Sequence, residues 1–276
     1  MPEFVVQRLL HSPIVAVSDT NCHGSHRLPS AEECTTTTQL VFPYRGVYVR
    51  HFGQEQIVAD ANRVLFFNAG EGYRVSHPIA GGDASLTLVL DPERLRELTP
   101  AALLQRNATT SFRQQNLRID AGTQALVAML GHRLRANIAE PLEAETLALT
   151  LARRALDTRT SRTTSGSAGR QKLVDRAKLV LASEPERRWT LAEIAAEVNV
   201  VGYFQVVRDP HAAIVLAQML DSTSIPNPEL VMAVSNQRDA NSKQVLHRFA
   251  QRFPDYADHT KAASERISSA QLRCVR

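Results

Sequence analysis

Five side chains in the second half of the chain have the types needed to hold nucleic acid. Arg187 and Arg188 stand just ahead of a candidate helix start and could neutralise phosphates. Tyr203, Gln205 and Arg208 follow that helix and could reach base edges in a groove. Gln can pair bidentately with adenine and Arg with guanine, so these residue types can read sequence. A second group, Cys22, His23, His26, Glu33 and Cys34, has metal-ligand types. Its spacing matches no structural zinc pattern, so ordinary buried or surface roles are expected there. No Gly-rich phosphate loop after a strand and no Gly-x-Ser-x-Gly nucleophile turn is present. No catalytic residue, cofactor or metal ligand is therefore assigned, and the chain is not expected to be an enzyme.

The element that must position the five polar residues is the stretch from Trp189 to Val200. Thr190 and Glu193 have the Ser/Thr-x-x-Glu spacing of a capping box, and Trp189 and Ile194 have that of a hydrophobic staple. Leu191, Ile194, Ala195 and Val198 share one helical face. Upstream, Leu173, Ala177, Val180 and Leu181 mark another amphipathic helix that closes near Pro185. Residues 158–170 are polar, small and aperiodic, the composition of a linker.

Ahead of the linker, residues 12–90 carry short β-branched and apolar runs. Thr38–Phe42, Gly46–Phe52, Gln56–Ala59, Arg63–Phe67, Tyr73–His77 and Ser85–Leu90 read as strands, with turns at Pro43–Gly46, Asp60–Asn62, Asn68–Gly72 and Gly81–Asp83. Such spacing predicts a small barrel or jelly roll, with Tyr48, Phe66 and Val75 as lining or core positions. Pro92–Leu98 then reads as a short helix. Gly122–Asn137 and Leu142–Leu156 read as a helix pair, with Pro141 suited to a first turn.

The net charge is +4 over 276 residues. The first 158 residues are close to neutral, and all four lysines (Lys172, Lys178, Lys243 and Lys261) lie beyond them. A basic half beside a neutral half suits a polyanion-binding module joined to a sensing or assembly module. Three scattered cysteines do not read as a disulfide framework. No run of about 18 apolar residues and no signal peptide is evident, so a cytoplasmic protein without membrane contact is expected.

Taken together, the segments Phe42 to His51, Val58 to Glu71 and Tyr73 to Pro78 resemble the cupin-type sensor domain of AraC/XylS bacterial transcription regulators. Leu173 to Lys178 and Trp189 to Val200 resemble the first two helices of that family's DNA-binding domain. The resemblance covers roughly residues 10–200. It implies an α+β chain: a cupin-like β-barrel with a helix pair over 1–157, a linker over 158–170, and a helix-turn-helix domain over 171–276. It also implies sequence-specific binding to promoter DNA, a small-molecule effector, homodimerisation, and contact with RNA polymerase if the protein is an activator. Cupin enzymes carry a His-x-His and a later His around a metal. Here the strand after Gly46 offers Tyr48, Arg50 and His51 instead, which disfavours the alternative of a metal-dependent cupin enzyme.

The chain departs from the family after Val200. Pro210 would stop the expected recognition helix after about two turns. No glycine follows Gly202, and the family's second helix-turn-helix is not visible. Either the last 76 residues have diverged, or the reading frame shifted near Val200. The loop-like stretches 222–228 and 236–243 favour the shift, which predicts a poorly packed tail. A further alternative follows: a sensor or dimerisation protein that has lost DNA binding.

Overall fold

The computed structural model describes residues 4–105, 110–157, 159, 161–162, 168–200, 202, 204 and 210–272. Helix and sheet are both present, and the chain divides into two compact units. The first comprises Met1–Ser167 with Ala182–Pro185, the second Ala168–Leu181 with Glu186–Arg276.

Ten strands are described in the first unit: β1 (Phe4–His11), β2 (Val15–Cys22), β3 (Gln39–Arg45), β4 (Tyr48–Phe52), β5 (Glu55–Ala59), β6 (Arg63–Phe67), β7 (Arg74–Ser76), β8 (Asp83–Leu90), β9 (Asn116–Ile119) and β10 (Ser161–Arg162). One sheet has seven strands in the order β1-β2-β8-β3-β6-β9-β10; the other has three in the order β5-β4-β7. Neighbouring strands in both sheets are antiparallel.

Alternation along the strands sorts side chains into two cores. Val15, Val17, Leu40, Phe42, Val64, Phe66, Leu86, Leu88 and Leu90 face a helical layer. That layer is α1 (Pro92–Leu98), α2 (Ala121–Arg135) and α3 (Pro141–Leu156), which contribute Leu95, Val127, Leu130, Leu151 and Leu156. The intervening residues Val41, Leu65 and Phe67 turn the other way, towards Tyr48, Ile57 and Ala59 of the three-stranded sheet. The unit is thus layered as helices, large sheet and small sheet. Phe66, read from the sequence as a lining or core position, is core: it lies on the helical side, stacked on Phe112 with ring centroids 3.9 Å apart. Its neighbours Leu65 and Phe67 take the inward places.

Local chemistry explains the helix boundaries. Asp91 caps α1 by accepting from the Glu93 and Arg94 amides, and Pro92 fills the first turn. Asp120 caps α2 by accepting from the Thr123 amide at 2.7 Å, and Pro141 begins α3. The turn expected at Pro43–Gly46 is tighter than the sequence suggests. Pro43 and Tyr44 remain in β3, at a register irregularity that tolerates a missing N–H, and Gly46 makes the turn at φ +68°. A Cβ on Gly46 would lie 2.2 Å from the Gly82 carbonyl oxygen, so glycine is required for space as well as for conformation. Two residues of the expected linker, Ser161 and Arg162, extend the large sheet beside β9.

The second unit contains α4 (Ala168–Ser183) as far as Leu181, α5 (Leu191–Glu197), α6 (Pro210–Ser222), α7 (Pro228–Gln237), α8 (Ser242–Arg252) and α9 (Ala257–Leu272). Helices α6 to α9 enclose Leu216, Leu220, Leu230, Val231, Val234, Leu246, Phe249 and Ile267, all nearly inaccessible to solvent. The loop-like stretches seen in the sequence connect successive helices of this core. A tail of unrelated sequence was expected to pack poorly, and this packing runs against that expectation.

Asp19 joins the helical layer to the large sheet. It is 2% exposed, accepts from the Tyr44 hydroxyl at 2.7 Å and pairs with Arg135 of α2 at 3.1 Å. Replacing it leaves Tyr44 and Arg135 without their acceptor, although Arg135 is partly solvated. Asp19→Ala is expected to cost about 1–3 kcal/mol, below the range for a fully buried pair. Urea unfolding of the variant gives the test, and a change under about 0.5 kcal/mol would place the pair among surface contacts of little consequence.

Candidate functional site

The faces of the two sheets that meet carry several polar groups. On the large sheet's inner side, opposite members of β2 and β8 are Ser18 and Thr87, Thr20 and Ser85, and Cys22 and Asp83. The same alternation that sends Val15, Val17, Leu86 and Leu88 to the helices places these six inward. From the small sheet, β4 contributes Tyr48 and Arg50.

Arg50 is the largest fully buried side chain in the described residues, with no exposed surface. Its guanidinium stacks on the Phe67 ring at 3.9 Å, with Tyr73 and Phe52 rings at 5.5 and 5.8 Å. One amino group, Nη1, donates to the Phe66 carbonyl at 2.6 Å. Nε and Nη2 are buried without a hydrogen-bond acceptor. Those two donors form one edge of the guanidinium, the geometry that binds a carboxylate or phosphate side-on through two parallel hydrogen bonds. Burial pushes the Arg50 pKa down, and the nearby Tyr48, Glu71 and Tyr73 oppose that shift. Burial, followed by the Asp83 charge, pushes the Tyr48 phenol up, so Tyr48 remains a neutral hydroxyl.

Beside these groups, three titratable side chains meet, from β2, from β8 and from the residue after β7. Asp83 is directly opposite Cys22 in the β2–β8 ladder, and His77 follows β7. His77 Nδ1 is 2.5 Å from an Asp83 carboxylate oxygen, and His77 Nε2 is 3.7 Å from Cys22 Sγ. The sequence grouped Cys22 with its chain neighbours, but His23, His26, Glu33 and Cys34 are exposed. His77, placed by the sequence at the end of a strand, is the one brought to Cys22. Only the strand register reveals this set, because its members are separated by up to 61 positions.

In the second unit, the box expected at the start of α5 is formed. Thr190 Oγ1 accepts from the Glu193 amide at 3.3 Å, and the Glu193 carboxylate accepts from the Thr190 amide at 2.8 Å. Ala195 and Val198 are buried as predicted, whereas Leu191 is 71% exposed in the first turn. After α5 the backbone turns through Asn199 in the left-handed region, φ +55°, and Val200, Gly202 and Phe204 are helical again. Asn199 Oδ1 accepts from the Gly202 amide at 3.0 Å. A Cβ on Gly202 would lie 2.6 Å from the Asn199 side-chain amide, so this glycine makes room for the contact.

The expected nucleic-acid residues fall into three cases. Arg187 is engaged within the unit: its guanidinium covers the Trp189 ring at 3.8 Å and pairs with Glu193 at 3.0 Å. Arg188 is exposed on the approach to α5. Tyr203, Gln205 and Arg208 lie outside the described residues.

No family model and no curated protein matches the chain. Among solved structures, a cupin superfamily protein from Desulfitobacterium hafniense is 19% identical, over 32% of this chain and 78% of its own, with a TM-score of 0.27. The cupin_2 domain of an XRE family transcriptional regulator from Enterobacter cloacae is 11% identical, over 33% of this chain and 98% of its own, with a TM-score of 0.28. A cupin-2 domain containing protein from Shewanella frigidimarina is 8% identical, over 32% and 80%, with a TM-score of 0.27. No helix among the described residues is long and apolar enough to cross a membrane.

The capping box gives the second unit a defined acid response. The Thr190 amide, then its hydroxyl, then Arg187 hold the Glu193 carboxyl at about 2, against an ordinary 4.5. A depressed folded-state pKa means that the stabilisation is complete above the ordinary value and is lost as pH falls from about 4.5 towards 2. Amide exchange in residues 191–198 is expected to accelerate across that window, beyond the intrinsic pH effect. In Glu193→Gln, which keeps a neutral capping partner, the window should flatten. Identical profiles for the two proteins would remove Glu193 from the account.

Proposed function

We propose that this chain is a sequence-specific DNA-binding transcription regulator of AraC type. The observation that carries the reading is the turn at Asn199. A capped seven-residue helix ends, one left-handed residue reverses the chain, and helical conformation resumes at Val200. A short connection of this kind between two helices is what a helix-turn-helix needs to present its second helix to the major groove. The basic character of this part of the sequence and its resemblance to AraC/XylS regulators support the same reading.

In this scheme the inter-sheet space of the first unit receives the effector. Arg50 holds a buried positive charge with two donors on one edge unmet. Such a group is costly unless an anion answers it. An effector bearing a carboxylate or phosphate fits that edge, with the Phe67 and Tyr73 rings placed for its apolar body.

DNA binding is tested by fluorescence polarisation of the full chain on DNA from upstream of its own gene. Binding is expected to weaken with salt, and sequence preference should survive where non-specific attraction has faded. Arg188→Ala should weaken binding to all sequences and reduce the salt slope by about one. Arg208→Ala should relax preference at one base position, a loss of about 1–3 kcal/mol. Equal affinity for upstream and scrambled DNA at every salt concentration would defeat the regulator reading and leave a sensor or dimerisation protein.

A further inference from the structure

We propose that Cys22, His77 and Asp83 form a binding site for a divalent transition-metal ion, with Zn²⁺ the best match to the donors. One sulfur, one imidazole nitrogen and one carboxylate oxygen from these residues all lie within 4.8 Å of one another. Zinc bonds of about 2.0–2.3 Å at tetrahedral angles place such donors roughly 3.3–3.6 Å apart. The observed 3.7 Å between Cys22 Sγ and His77 Nε2 is already near that span. Rotation of the Asp83 carboxylate about its side-chain bonds, away from Nδ1, is the main adjustment required. The set is compact in all three directions. Asp83 meets Nδ1 and Cys22 meets Nε2, as in a nucleophile–base–carboxylate relay, but sulfur and carboxylate oxygen lie within 4.8 Å of one another, closer than a relay across the imidazole would hold them. The donor set also selects among ions: thiolate and imidazole exclude magnesium and calcium in favour of zinc and its transition-metal neighbours.

The protein frame supports the site. Cys22 and Asp83 are 7% and 6% exposed and occupy opposite positions of one antiparallel ladder. Their side chains therefore project together on one face. The entry to β8 is fixed by Gly81 and Gly82, with φ of +101° and +72°. A Cβ on Gly82 would lie 2.2 Å from the Cys22 carbonyl oxygen, so the turn lies tightly against the end of β2. The His77 amide donates to the His26 carbonyl at 2.7 Å, which anchors the third donor. Three protein ligands leave a fourth tetrahedral position for water or another small ligand. The set shares no residue with the edge of Arg50 discussed above, and it is independent of any DNA-binding role.

The test uses the full chain, stripped with a chelator and titrated with Co²⁺ and then Zn²⁺. Cobalt is expected to bind at one equivalent per chain with a near-ultraviolet thiolate charge-transfer band, and zinc should displace it. The band should vanish in Cys22→Ser and persist in Cys34→Ser, whose exposed thiol lies outside the set. Zinc should raise the melting temperature of the wild-type chain, with a much smaller rise in His77→Ala and Asp83→Asn. Circular dichroism of each apo variant verifies folding; if Cys22→Ser misfolds, Asp83→Asn carries the comparison. Absence of a one-equivalent ion at micromolar concentration in folded wild-type protein overturns the proposal. So does a cobalt spectrum without a thiolate band, or one unchanged in Cys22→Ser. Rapid alkylation of Cys22 without metal binding would overturn it in favour of a thiol relay.

Discussion

The seven-stranded sheet is covered on both faces over its central strands, and most of the first unit follows from that constraint. Each strand residue there must go either to the helices or to the small sheet, and a shift of one residue would exchange every assignment. The helical side is met by a continuous apolar set from Val15 to Leu156. The opposite side is mixed. Near β3 and β6 it is apolar, with Val41, Leu65 and Phe67; near β2 and β8 the inward residues are Ser, Thr, Cys and Asp. That gradient across a single sheet face separates apolar packing from a polar region that includes Cys22 and Asp83.

Much of this was legible in the sequence because the signals were local. Strand β6 and helix α1 were marked by their own residues and flanking turns, as was the capping box that starts α5. What escaped was long-range. Strands β1 and β2 lie in a stretch without strong alternation, and they are defined by pairing with each other and with β8. Strand β9 is only four residues long and gains its place by lying beside β6. Pro43 read as a turn because proline usually ends a strand, but an irregularity in the ladder accommodates it.

The side-chain sets followed the same division. The sequence contained Tyr48, Arg50 and His51 in order, yet their order did not reveal that Arg50 is buried with an open edge. That property depends on Phe66 and Phe67, from a strand in the other sheet. Cys22 was first associated with His23, His26 and Cys34 because they are near in the chain. A strand end carries neighbouring residues away into exposed loops, while the ladder brings a residue 61 positions away directly opposite. A search for ligands by spacing succeeds in a compact loop or on a helix face, and fails when the donors come from paired strands.

The two units place different demands on a shared chain. In the first, the polar side of a doubly covered sheet keeps charged groups away from water, where each unmet donor favours a ligand that completes it. In the second, α6 to α9 enclose an apolar core, and a capping box and the turn at Asn199 bound the short helix α5. Glu193 serves both its own helix start and Arg187, so a side chain that sequence reasoning assigned to phosphate is already committed within the protein. Recruiting Arg187 to a phosphate would require it to leave both Glu193 and the Trp189 ring. The exposed Arg188 makes no such contact among the described residues, so under the proposed regulator function it is the better placed of the adjacent pair to meet a phosphate.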